Sequence, residues 1–402
     1  MDCSWLGSVA RRWLLAVAAV VCGGGDAAGL APSGVVVFGD SLSDMGNISS
    51  ATLGFVPGST YFSGRFSNGP VWVEHLAAAL GAGPLATSRS GGNNFAYGGA
   101  LTSGASGVGG VFIRDIDEQL ADFFAARTVD PQALYVVWAG ANDLFDGQTN
   151  VHVPINNLAA AISSLVAAGA RQVLVPNLPL LGQIPEYNRD GAASAAFDQF
   201  SLQYNAALAA RVEQLAAANL QTTFYQLDVA AIFTDAIARP AAWGLTNVTD
   251  PAAPGLTSGA LFYNRSRIVP NPQQYLFWDA IHPTATVHRI LGEYAGRLLD
   301  GLPGDFNTDG QVDAADLALW YAGYGTTDAV RRQGDADDNG LTDGADFLLW
   351  QQRLGANVLT HTLATTTPVP EPGAAWLAAV GAVWVAAAAR GRRVDRRGGA
   401  FC

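Results

Sequence analysis

Val35-Val36-Val37-Phe38-Gly39-Asp40-Ser41-Leu42-Ser43-Asp44 is the stretch whose pattern decides the fold. Four apolar residues in a row read as a strand buried on both faces, and the small and polar residues behind them read as a turn. A strand that stops there presents the Ser41 hydroxyl at the rim of a sheet. Far downstream lies Asp279-Ala280-Ile281-His282-Pro283, whose Asp-x-x-His spacing lets a carboxylate hold an imidazole over that hydroxyl. Together the two stretches read as a hydrolytic serine site.

Working outward, strands are expected at Val35–Phe38, Ala133–Trp138, Gln172–Pro176 and Thr222–Leu227. Helical spacing of apolar residues marks roughly 70–80, 115–127, 154–168, 191–220 and 284–299. Strand and helix in turn predict an α/β fold with a largely parallel sheet covered on both faces. The Gly/Ser stretches 81–93 and 101–110, with most of 240–275, are expected as loops that build a substrate groove. In open parallel sheets the reactive residues collect at the carboxyl ends of the strands. Ser41 meets that condition, as does Gly140-Ala141-Asn142-Asp143 behind Trp138. Asn94-Phe95-Ala96-Tyr97-Gly98-Gly99-Ala100 forms a tight glycine turn between them, and Asp279 and His282 come just before the last helix.

These four blocks, in this order, resemble the GDSL family of the SGNH hydrolases over residues 34–300. Tyr61-Phe62-Ser63-Gly64-Arg65-Phe66-Ser67-Asn68-Gly69 is similar to the early loop of its plant-type and lipase-like branch. The resemblance implies a flavodoxin-like three-layer α/β/α fold. It also implies an esterase or lipase that cleaves carboxylic esters through a covalent acyl-enzyme, with no cofactor for catalysis. Ser41 would attack the ester carbonyl, His282 would move the proton, and Asp279 would orient the ring. The family assigns the oxyanion to the Ser41 N–H, the Asn142 side chain and a glycine N–H of the Gly98-Gly99 pair. Gly98 is preferred by its place in the block. Leu42 and Ser43 behind the nucleophile depart from the Gly-x-Ser-x-Gly elbow, which excludes the α/β-hydrolase fold.

Other residues near these blocks have simpler readings. Asp40 and Asp44 are expected to tie down the turn and helix after Ser41. Of five histidines, His75 and His288 read as packed or surface helix residues, and His152 and His361 sit in polar segments. Phe62, Phe66, Phe95, Tyr97, Phe145 and Trp278 are candidates to line an acyl-binding surface. The substrate is expected to be a neutral ester, either an acyl lipid or an acetylated sugar. The alternatives are a carbohydrate acetylesterase and a non-catalytic calcium-dependent surface or scaffold protein.

A second unit follows at 304–353. Asp305-Phe306-Asn307-Thr308-Asp309-Gly310-Gln311-Val312-Asp313-Ala314-Ala315-Asp316 recurs as Asp335-Ala336-Asp337-Asp338-Asn339-Gly340-Leu341-Thr342-Asp343-Gly344-Ala345-Asp346. Each copy has oxygen-bearing side chains at positions 1, 3, 5, 9 and 12, a glycine at 6 and a backbone carbonyl at 7 (Gln311, Leu341), a set that suits Ca2+. Two structural calcium sites are expected. The pair resembles a type I dockerin, which implies a cohesin-like partner. Positions 10 and 11 depart from the cohesin-recognising pattern, being Ala314-Ala315 and Gly344-Ala345. A calcium-stiffened spacer or another cell-surface partner fits them better.

The 402 residues carry a formal charge of -12 and no lysine. That leaves no basic footprint for nucleic acid on the body. Arg11-Arg12 precede an apolar run from Trp13 to Val21, so 1–30 reads as a signal peptide of an exported protein. Residues 354–368 read as a linker. Residues 369–393, with Pro370-Glu371-Pro372, an uncharged segment and a basic end, resemble a PEP-CTERM sorting tail. That resemblance implies transient membrane contact, then release or surface attachment. Cys3, Cys22 and Cys402 lie in segments expected to be trimmed.

Overall fold

A computed structural model describes residues 32–104, 109–260 and 262–359. The expected signal segment and sorting tail, most of the linker and all three cysteines lie outside the described residues.

Four parallel strands form the main sheet in the order β1 (Val35–Gly39), β2 (Leu134–Trp138), β3 (Gln172–Pro176) and β4 (Thr223–Leu227). Along the outer edge of β1 runs the segment 93–97. Val37 N donates to Asn93 O (3.0 Å), Phe95 N to Val37 O (2.7 Å) and Tyr97 N to Gly39 O (3.0 Å). With this segment outside β1, the sheet has the flavodoxin-like strand order. A separate small sheet pairs β5 (Asn247–Pro251) with β6 (Tyr275–Phe277).

The helices of the body are α1 (Asn47–Ala51), α2 (Trp72–Ala79), α3 (Gly109–Phe112), α4 (Ile116–Ala126), α5 (Ala141–Phe145), α6 (His152–Ala167), α7 (Gly191–Ala218), α8 (Val229–Ala238) and α9 (Ala285–Asp300). Side chains alternate across a strand, so β1 and β2 serve two cores. Val35, Val37, Leu134, Val136 and Trp138 pack with α2, α8 and α9. Val36, Phe38, Tyr135 and Val137 pack with α4, α6 and α7. The result is the three-layer arrangement expected from the alternation of elements. A side chain at Gly292 would bring a Cβ to 2.6 Å from Trp72 O, so only glycine lets α9 lie this close to α2.

The acidic repeat adds α10 (Ala314–Gly323) and α11 (Gly344–Arg353). Each helix ties down the other copy. Trp320 Nε1 donates to Asp343 O (2.8 Å), and Trp350 Nε1 donates to Asp313 O (2.9 Å). Leu317, Leu319, Phe347 and Leu349 fill the space between them. The unit is not a free spacer. Its first loop lies against the exposed edge of β4, where Gln226 N donates to Thr308 O (3.1 Å) and Thr308 Oγ1 to Phe224 O (2.6 Å). Arg332 and Glu213 form an ion pair between the two units. Backbone groups at a sheet edge need partners, and this loop supplies them.

Candidate active site

The turn after β1 is held from several sides. Gln119 accepts from Gly39 N (2.9 Å) and donates to Gly39 O (2.8 Å). Ser43 N and Asp44 N both return to Asp40 O, at 3.1 and 2.9 Å, which brings Ser41 round at the strand end. Asp40 Oδ1 accepts from Leu42 N (3.0 Å), and burial pushes its carboxyl up to about 6. Asp44 is also buried and also pushed up to about 6 by burial, although four backbone N–H groups oppose that shift. Those donors are Gly46, Asn47, Ile48 and Gly98. Both aspartates tie down the turn, as expected.

β6 leads into the loop that carries the partners of Ser41. Asp279 Oδ1 accepts from Ile281 N (2.8 Å) and His282 N (2.7 Å), which closes the loop around the carboxylate. Its Oδ2 lies 2.8 Å from His282 Nδ1, and His282 Nε2 lies 3.0 Å from Ser41 Oγ. All three side chains are buried. Burial works to raise the Asp279 pKa, but the nearby His282 and the hydrogen bonds from His282 and Tyr61 outweigh it, leaving the carboxyl below its ordinary range. The Phe66 ring sits 5.0 Å from the imidazole. Within such a chain the hydroxyl can pass its proton to the ring while the carboxylate steadies the resulting imidazolium.

Asn142 opens α5, just behind β2. One of its amide hydrogens goes to Ala100 O (3.0 Å), and the amide has a second to offer. Asp143 accepts from Thr102 N (3.0 Å) and Thr102 Oγ1 (2.6 Å), so this block and the glycine turn are bound to each other. At Gly140, φ is +119° and an added Cβ would meet Tyr204 Oη at 2.5 Å, so the approach to Asn142 requires glycine.

The preference for Gly98 as an oxyanion donor does not hold. Its N–H is given to Asp44 Oδ2 at 2.8 Å. A donor committed to a buried carboxylate is not free for a developing oxyanion. Gly99, at φ +84°, is the next N–H along, and it has no acceptor among the described residues.

Beside Ser41, His282 and Asn142 lies a cavity lined by Leu42, Trp138, Phe145, Leu181, Ile184, Phe233, Phe277 and Leu291. Of the aromatics expected at substrate only Phe145 belongs to this wall. Phe95 stacks on Phe38 in the core, Tyr97 and Phe66 share another cluster, Trp278 packs with Tyr61 and Leu256, and Phe62 is exposed. The wall comes instead from strand ends and helices distant in sequence.

The GDSL-like lipase/acylhydrolase family model matches residues 35–295, more than half of the chain. The chain belongs to that family. This GDSL hydrolase is an enzyme acting on ester bonds. It is 28% identical to a phosphatidylcholine-sterol acyltransferase of Aeromonas hydrophila, over 72% of this chain and 97% of that protein. It is 30% identical to a GDSL esterase/lipase of Arabidopsis thaliana, over 66% of this chain and 86% of that one. Among solved structures it is similar to a phospholipase A1 from Streptomyces albidoflavus NA297, with a TM-score of 0.34 and 16% identity, over 66% of this chain and 98% of that one.

In the GDSL hydrolase three supporting residues escaped sequence reasoning as individuals: Gln119, Thr102 and Tyr61. Gln119 and Thr102 sit in ordinary polar positions and carried no signal. Tyr61 lay inside a quoted block, but nothing in that block told which residue would reach the site.

The acidic repeat brings its candidate ligands together in part. Asp335, Asp337 and Asp346 place carboxylate oxygens within 4.8 Å of one another. Asp305 and Asp316 are buried, and Asp305 lies well above the usual carboxylate range because of burial and the charges of Asp309 and Asp316. At the front of that loop Asn307 Nδ2 donates to Asp309 Oδ2 (2.9 Å). Asn339 stands at the matching place in the second copy, where its Oδ1 accepts from Leu341 N (2.7 Å). Asp313 and Asp343 also start helices. Oδ1 of each caps a helix, accepting from Ala315 N and Ala345 N at 2.7 Å.

Proposed function

We propose that this chain is an exported serine hydrolase that cleaves carboxylic esters with an apolar acyl group through a covalent acyl-enzyme. One observation carries the reading: Ser41 Oγ, His282 and Asp279 form a continuous hydrogen-bonded chain of 3.0 and 2.8 Å. Ser41 Oγ attacks the carbonyl carbon while its proton moves to His282 Nε2. The tetrahedral intermediate places negative charge on the former carbonyl oxygen. Donors for that charge are the Ser41 N–H, the free Asn142 amide hydrogen and the Gly99 N–H in place of Gly98. His282 then gives its proton to the leaving alcohol, and the acyl group stays on Ser41. Water repeats the sequence in reverse and frees the acid.

The acyl side of the substrate is argued from the cavity wall, which is made largely of Leu, Ile, Phe and Trp side chains. Such a wall gains from burying methylenes, each worth about 0.8 kcal/mol, and offers an acetyl group little. Relatives named as a phosphatidylcholine-sterol acyltransferase and an esterase/lipase support an acyl-lipid substrate over acetylated polysaccharide. In the repeat, Asp305, Asn307, Asp309 and Asp316, and Asp335, Asp337, Asn339 and Asp346, would hold Ca2+. The mutually repelling carboxylates, Asp305, Asp316, Asp335 and Asp346 among them buried, fit a hard dication with oxygen ligands. The metal would supply structural cross-links and takes no part in ester cleavage.

A panel of p-nitrophenyl esters from acetate to palmitate, beside acetyl-xylan, tests this reading. The expected result is a kcat/KM that rises from acetate toward medium chains, no release of acetate from xylan, and loss of turnover in Ser41→Ala. Turnover unchanged in Ser41→Ala would falsify the serine mechanism.

A further inference from the structure

We infer that Tyr61 is a positioning residue for ester cleavage, holding the Asp279 carboxylate in the orientation that His282 needs. The inference rests on the serine reading above and adds a fourth member to its chain of hydrogen bonds.

Tyr61 Oη donates to Asp279 Oδ2 at 2.6 Å, the same oxygen that faces His282 Nδ1 at 2.8 Å. A charge-assisted O–H to carboxylate bond of this length is among the stronger hydrogen bonds of a protein interior. Asp279 Oδ1 is fixed by two backbone N–H groups of its own loop, at 2.8 and 2.7 Å. Without the phenol, Oδ2 would have the imidazole alone, and the carboxylate would lose one of the two groups that hold this oxygen against rotation about the Cβ–Cγ bond. The phenol keeps its proton for Asp279, since burial and the adjacent carboxylate charge drive its pKa far above the ordinary value.

The loop that brings Tyr61 is fastened to the segment that directly follows His282. Ser67 Oγ donates to Pro283 O (2.9 Å), and Asn68 Oδ1 accepts from Ala285 N (2.7 Å). Phe62 N closes the loop on Ser67 O at 2.9 Å. The Tyr61 ring lies in a pocket of Ala252, Ala253, Leu256 and Trp278, and its centroid is 6.1 Å from that of Phe66, which contacts His282. Ring and hydroxyl therefore have separable roles, and Tyr61→Phe removes only the second.

The test is a double-mutant cycle with p-nitrophenyl butyrate, using Tyr61→Phe, Asp279→Ala and the double variant, with Ser41→Ala alongside and thermal midpoints recorded for all. Loss of a hydrogen bond to a charged partner predicts that Tyr61→Phe lowers kcat by about tenfold, with KM within about twofold. In the Asp279→Ala background, Tyr61→Phe should produce no further loss, because a residue that acts through a missing partner has nothing left to act on. A packing role would instead give equal losses in both backgrounds, and that outcome overturns the inference. So does wild-type kcat in Tyr61→Phe. Turnover retained by Ser41→Ala overturns the serine mechanism and this inference with it. A dead Ser41→Ala beside an unimpaired Tyr61→Phe overturns the role of Tyr61 alone.

Discussion

Asp44 Oδ2 accepts the Gly98 backbone N–H at 2.8 Å, so the carboxylate three residues beyond Ser41 dictates the shape of the glycine turn 54 residues away. Its other bonds run to Gly46, Asn47 and Ile48. One buried side chain thus fixes the start of α1 and the turn that presents Gly99.

Replacement of Asp44 should therefore harm folding and catalysis together. Asp44→Ala leaves buried donors unpaired, which typically costs about 1–3 kcal/mol for each such group. Urea unfolding should show a loss of about 3 kcal/mol or more. Residual folded protein should have a kcat reduced far more than KM is raised. A variant as stable as wild type would show that the turn is held by other means.

Asn142→Ala should separate the two uses of that amide. Loss of one oxyanion donor lowers kcat by about 10²–10³-fold. The bond to Ala100 O also goes, at a net cost of about 1 kcal/mol in stability. Steady-state kinetics with p-nitrophenyl butyrate and a denaturation curve give both numbers. A stability loss without a fall in kcat would remove Asn142 from the oxyanion site.

Asp40 makes a prediction about pH. Its folded pKa is pushed up to about 6 from an ordinary 3.8. A raised folded pKa means that the folded state holds the proton more tightly. The associated stability is fully present below about pH 4 and is lost as pH rises through about 6. Asp40→Asn keeps an acceptor for Leu42 N and removes the titration. Between pH 4 and 7.5 the wild type should lose about 2 kcal/mol relative to Asp40→Asn. Parallel urea titrations at the two pH values check this, and identical pH dependence in both proteins would refute it.

Calcium should act on more than the repeat. Thr308 belongs to the first loop and bonds to β4 through Gln226 N and Phe224 O. A ligand that stiffens this loop stabilises the edge strand as well. At a hundredfold excess over Kd the gain should be about 2.7 kcal/mol per site. Calorimetry of the full chain with Ca2+ and with chelator should show the main transition move, and Asp346→Ala should remove one bound equivalent by titration calorimetry. A main transition indifferent to Ca2+ would mean that the two units melt independently.

Much of this architecture was legible because local signals agreed with one another. The four apolar runs became β1 to β4 within a residue or two, and the five longest helical patterns became helices at nearly the expected bounds. Ser41, Asp279 and His282 were readable because their spacing matters chemically. The direction of the Gly98 N–H was not, since a peptide can rotate without any change in sequence and only Asp44 decides it. The acyl wall was equally hidden. Phe233, Phe277 and Leu291 look like core residues one at a time, and only the packing of α8 and α9 against β6 turns them toward Ser41. The capping role of Asp313 and Asp343 is a third case, because one residue type suits a helix start and a metal loop alike.

The contact between Thr308 and β4 also bears on how the chain should be shortened. An expression product ending near residue 303 would keep every group needed for ester cleavage. It would also strip the covering from Phe224 O and Gln226 N and leave a bare strand margin. Such margins recruit strands from other molecules. The trimmed enzyme should be active when dilute and should precipitate when concentrated, whereas the longer chain, with that margin covered, should stay in solution.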